Sequence, residues 1–135
     1  MQDDSNAEIQ QLTVVLSQLA SLLRRTGHPR DTERADDIES VISLLTTDKA
    51  KAIEELVSNT FWGGAGSYID EGINCSGNEV DHRNAYREYR QLLLELLVNL
   101  RAQGHTHRWF DDREELLRHW IRNPDDEIVI IRHPS

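Results

Sequence analysis

Tyr86, Tyr89, Leu93, Leu96 and Leu100 recur at steps of three and four, and Leu92, Leu94, Leu97 and Val98 fill the positions between them. A segment apolar over more than half its circumference predicts a long helix covered on several sides. It opens near Val80, closes at Gly104, and is expected to be the central helix of a bundle.

The rest of the chain supplies partners for it. Ser5 and Glu8 fit a capping box, and Ile9, Leu12, Leu16, Leu19 and Leu23 then mark an amphipathic helix ending near Gly27. Val15 and Leu22 widen its stripe, so two neighbours are expected. Beyond Pro29, Asp31 or Thr32 can cap a second helix with Ala35, Ile38, Val41, Ile42 and Leu45 on one face. Asp36, Asp37 and Glu39 lie largely on the other. Asp48 is the expected cap of a third helix, with Ile53, Leu56 and Val57 inward and Lys49, Lys51, Glu54 and Glu55 outward. Asp111 or Asp112 can cap a last helix carrying Leu116, Leu117, Trp120 and Ile121, which Asn123-Pro124 stops. The β-branched run Glu127–Arg132 reads as a short strand whose edges need a partner. The expected fold is mainly α: a compact bundle of five to six helices in one domain, residues 1–135, with a glycine-turn connector and a short C-terminal β-strand.

That connector is Trp62-Gly63-Gly64-Ala65-Gly66-Ser67-Tyr68-Ile69-Asp70, where three of the chain's seven glycines crowd. Gly63, Gly64 and Gly66 predict a sharp turn, Ser67 with Asp70 a capped helical start, and Trp62 a ring that pins the turn to the core. A glycine turn entering a helix can also bind an anion. Neither phosphate-loop fingerprint is present, and Asp70 and Glu71 would repel an anion, which favours the structural connector.

Composition narrows the function classes. With 38% hydrophobic and 29% charged residues, the sequence describes a folded, soluble chain; no apolar run reaches the length of a membrane span. The acidic start, Met1-Gln2-Asp3-Asp4, is unlike a secretory signal, and a cytoplasmic location is expected. A single cysteine, Cys75, excludes an internal disulfide. Net charge is −9, which disfavours nucleic acid and suits a basic partner. Residues 1–75 hold 13 acids against 6 bases, a balance of −7, so the negative field belongs to the first half. Only Lys49 and Lys51 are lysines, and the arginine excess points to pairing within the molecule.

Candidate chemistry is sparse. His105 and His107 form a His-x-His run without an indicated third ligand, and a polar loop is the alternative reading. Cys75, Asp81 and His82 carry no nucleophile signature. Trp109, Phe110 and Trp120 suit either the core or an interface, and Tyr86 with Tyr89 are similarly open. No catalytic, cofactor-binding or metal-ligating residue is assigned, and no cofactor is expected.

The G-G-x-G-S-x-x-D pattern at Gly63, Gly64, Gly66, Ser67 and Asp70, flanked by the leucine helices, resembles a family of small bacterial helical domains of unknown activity. The resemblance covers about residues 8–103, leaves the C-terminal segment 111–133 outside, and implies a helical fold and bacterial origin. By size and charge the chain is also similar to immunity proteins that neutralise toxins. The leading expectation is a non-enzymatic protein-binding module, presented through Asp36, Asp37, Glu39, Glu54, Glu55, Asp70 and Glu71 to a basic protein such as a toxin. Two alternatives remain. One is a small-ligand or enzymatic domain centred on the Gly63–Ser67 loop, the other a homodimer built through the C-terminal strand.

Overall fold

Two 24-residue helices, α1 (Gln2–Arg25) and α6 (Glu79–Ala102), carry the longest apolar stripes. The computed structural model describes residues 2–64, 66–73 and 79–123. Along α1, Leu12, Val15, Leu16, Leu19, Ala20, Leu22 and Leu23 are all buried. That set spans two adjoining faces, and α1 accordingly packs against both α2 (Pro29–Thr47) and α6. On its far side α2 meets α3 (Lys49–Leu56), while α6 meets α7 (Phe110–Arg122). The centre is therefore shared between α1 and α6, where the pattern of α6 alone suggested a single central helix. The two faces of α1 were legible in Val15 and Leu22.

Two single turns complete the architecture, α4 (Asn59–Trp62) and α5 (Tyr68–Glu71), with the glycine connector between them. The described residues thus form an all-α bundle of five longer helices and two short turns around one continuous core. Its leucines hold it together, since truncating a buried Leu to Ala typically costs about 2–5 kcal/mol. The proposed strand Glu127–Arg132 lies outside the described residues. Among those residues, no helix is long and apolar enough to cross a membrane.

Several helix starts differ from the sequence reading. Helix α1 runs through Ser5, so the Ser5–Glu8 pair lies inside the helix, and Glu8 is buried. Helix α2 begins at Pro29, capped by His28, whose Nδ1 accepts the Arg30 N–H at 3.1 Å. Proline at the first helical position sacrifices no hydrogen bond, so it starts this helix and does not merely interrupt the chain. Asp31 is thereby placed within α2, and Asp111 and Asp112 fall within α7, which follows Trp109. Asp48 and Ser67 do cap α3 and α5, accepting the Lys51 and Asp70 N–H groups at 3.3 Å.

Candidate functional site

The connector is fastened from beneath, and its fastening decides which charges remain outside. Trp62 is fully buried and its indole N–H donates to the Leu56 carbonyl at 2.7 Å, pinning the turn as expected. Gly63 lies so close to Asn59 that a Cβ would sit 2.7 Å from both its Cβ and its carbonyl oxygen. Gly72 has φ +72°, and a Cβ there would meet the Tyr86 hydroxyl at 2.5 Å. The Ser67 hydroxyl donates to the Gly63 carbonyl at 2.9 Å, and Asp70 accepts the Gly66 N–H at 3.3 Å. In a capping box the carboxylate would reach the Ser67 N–H; here that N–H goes to the Gly64 carbonyl. Gly64 and Gly66 are exposed, yet the loop's polar groups bond one another. That geometry serves a connector better than an anion cradle.

Two buried arginines hold the connector's ends. Arg113 of α7, with 0% of its surface exposed, donates from Nε to the Trp62 carbonyl at 3.0 Å and from Nη2 to the Gly63 carbonyl at 3.1 Å. Its Nη1 reaches Asp112 at 2.8 Å. At the other end Arg34 of α2 donates to the Gly72 carbonyl, to Asp31 at 2.6 Å and to the Tyr89 hydroxyl at 3.3 Å. Burial weighs against the Arg34 charge, but the Tyr89 and Asp31 oxygens outweigh it, and its pKa is raised. Asp31 is itself completely buried and also accepts from Thr26 Oγ1 at 2.7 Å. Tyr89 donates to the Tyr68 carbonyl at 2.6 Å, and Tyr86 to the Ile73 carbonyl at 3.0 Å. Burial pushes the Tyr89 hydroxyl far above its ordinary pKa, so it stays a donor.

A third internal charge sits at Glu8, which accepts from Lys49 Nζ at 2.7 Å and lies 2.9 Å from His105 Nε2. Burial pushes its carboxyl up, but the Lys49 and His105 hydrogen bonds hold it below the ordinary value. Three separate parts of the chain, α1, α3 and the loop before α7, meet on that one carboxylate.

The seven carboxylates expected to face a partner divide into two groups. Asp36 and Glu39 share one guanidinium, each lying 2.7 Å from Arg24 Nη2, and Glu71 is paired with Arg30. Asp70 is exposed but engaged by Gly66. Asp37, Glu54 and Glu55 are exposed on α2 and α3, and no ion pair among the described residues engages them. The arginine excess therefore does indicate pairing within the molecule, and it leaves a smaller free acidic face than the sequence suggested.

No family model, curated protein or solved structure matches this chain. The residues themselves must therefore carry the functional reading.

The histidines do not converge. His105 turns to Glu8, whereas His107 Nε2 lies 2.8 Å from Asn59 Oδ1 and its Nδ1 accepts the Trp109 N–H at 3.0 Å. Burial, with the Arg108 and Arg113 charges, lowers the His107 pKa. The neutral ring then donates from Nε2. No group of three His, Cys, Asp or Glu among the described residues could hold a metal ion. Cys75 and the side chains of Asp81 and His82 lie outside the described set. Phe110 and Trp120 are buried, while half-buried Trp109 is flanked by Arg108 and Arg113 at 5.3 and 5.1 Å from its ring centre.

Sequence reading passed over Arg34 and Arg113, and gave Glu8 and Asp31 capping roles instead of buried ones. Their signal was positional. Each falls in step with an apolar stripe: Glu8 with Leu12 and Leu16, Asp31 and Arg34 with Ala35 and Ile38, and Arg113 with Leu116, Leu117 and Trp120.

Proposed function

We propose that this chain is a non-enzymatic acidic module that binds a basic protein surface through the outer faces of α2 and α3. The observation that carries the reading is the set Asp37, Glu54 and Glu55, exposed and in no ion pair among the described residues, while neighbouring carboxylates are held by the chain's own arginines. Unpaired surface carboxylates contribute little to folding, and they accelerate encounter with a positive partner. The −7 balance of residues 1–75 concentrates the field on this half. Neutralisation of a basic toxin by an immunity protein, and membership in the bacterial domain family that shares the glycine signature, are the specific forms of this proposal. The inward-bonded glycine loop favours it over a ligand site at Gly63–Ser67.

The test is association. Tagged protein and an Asp37→Lys, Glu54→Lys, Glu55→Lys variant are used to capture partners at low salt. Each identified partner is then purified and its association rate measured against salt. The reading requires an association rate that falls with salt and slows at least tenfold in the variant. A partner bound at the same rate by both proteins removes this face from the function.

A further inference from the structure

Helices α2, α1, α6 and α7 pack in that order, and the outer side of the middle pair carries a surface of a different kind. Helices α1 and α6 run antiparallel: Arg25 reaches Glu88 at 2.7 Å near one end, and Glu8 lies 2.9 Å from His105 just past the other. Carrying that register along the pair sets Val14 level with Asn99, next to Val98. These two valines are the large hydrophobic side chains left exposed among the described residues, at 52% and 39%.

Both stand on the same side of the pair. Val14 shares a stripe of α1 with Gln18, Ser21 and Arg25, at steps of four, three and four, and Val98 shares a stripe of α6 with Glu88, Gln91 and Glu95. The Arg25–Glu88 ion pair joins the two stripes. A groove flanks each of them. Ser21 and Arg25 line one, between α1 and α2, together with Ala20 and Ile42. Glu95 and Val98 line the other, between α6 and α7, together with Leu94 and Ile121.

The charges of this surface say what fits it. Those that line the grooves or bridge the seam are Arg24, Arg25 and Arg118 against Glu39, Glu88 and Glu95, so their signs cancel. The chain as a whole carries −9, and two copies therefore meet with least repulsion at such a neutral face. A basic partner gains little there, whereas a two-fold contact needs one patch that complements itself and so holds both signs. Two helices of 24 residues make a face about 36 Å long and about 20 Å across. That is of the order of the roughly 800 Å² a side that a stable dimer buries. We propose that the outer face of α1 and α6 is where two copies of this chain associate, with Val14 and Val98 at the centre of the contact. Asp37, Glu54 and Glu55 line neither groove, so this contact and the acidic face are separate surfaces.

Sedimentation equilibrium of the full chain over a concentration series reads the association, at physiological salt so that the net charge is screened. The parent is expected to pass from one chain to two as concentration rises. Val14→Glu and Val98→Glu should each weaken that association at least tenfold. Lys51→Gln, which changes the net charge by the same amount from an exposed position on α3, should leave it unchanged. Circular dichroism checks that each variant keeps its helices, and the milder Val14→Gln and Val98→Gln should still weaken association at least threefold. A parent that stays a single chain throughout the series would overturn the proposal. So would a dimer indifferent to both valines, which puts the contact at another surface such as the C-terminal run. A Lys51→Gln effect equal to that of the valine variants would overturn it as well, because net repulsion would then be the whole cause.

Discussion

Asp31 and Asp37 lie on one helix, six residues apart, and have opposite fates. Asp31 is turned into the bundle, where it accepts from Arg34 and Thr26; Asp37 is exposed, with no partner among the described residues. Around Asp31 the chain spends charges to hold the Trp62–Ile73 connector against α2, α6 and α7. Around Asp37 it leaves charges unspent. A buried carboxylate is costly unless paired, so its partner belongs to the fold, whereas an exposed one can wait for a partner from outside.

Breaking the buried side should have the largest effect. Arg34→Met takes the matching guanidinium from buried Asp31, and urea denaturation should show a loss of about 3–5 kcal/mol. Adding Asp31→Leu to that variant should recover part of it, because a buried carboxylate without its guanidinium causes most of the damage. Next comes Arg113→Met, which takes charged donors from the Trp62 and Gly63 carbonyls, for about 2–3 kcal/mol in the same assay. Gly72→Ala should cost about 1–2 kcal/mol, since an L-residue is strained at φ +72° and its Cβ would displace Tyr86.

Acid sharpens the contrast without mutation. The Glu8 carboxyl is held below its ordinary value, so its contribution is present above about pH 4.5 and is lost as pH falls through the lower folded value. His107 is kept neutral by a lowered pKa, and its contribution is likewise present above 6.5 and lost on acidification. Stability measured by urea midpoint should therefore fall in two stages as pH drops, with His107→Gln removing the upper stage and Glu8→Gln flattening the lower.

The helical stripes of α1, α2, α6 and α7 were legible because apolar side chains must share a face to leave water. The caps at Asp48 and Ser67 were legible for the same local reason: an orphan amide and an oxygen within three residues. Pairing across the fold was not. Nothing near Glu8 in the sequence announces Lys49 or His105, which reach it from other elements. Nor does Asp36 differ from Asp37 until Arg24 is placed beside one of them. Charged residues interrupting an apolar stripe were the available clue, and they mark the buried network. The exposed remainder becomes visible only after the internal pairs are subtracted.

The division between spent and unspent carboxylates is tested most directly by the urea midpoint of an Asp37→Asn, Glu54→Gln, Glu55→Gln variant. Surface positions without partners predict a stability within about 0.5 kcal/mol of the parent. A loss approaching that of Arg113→Met would show that these three acids hold the bundle together, and the face assigned to a partner would belong to the fold instead.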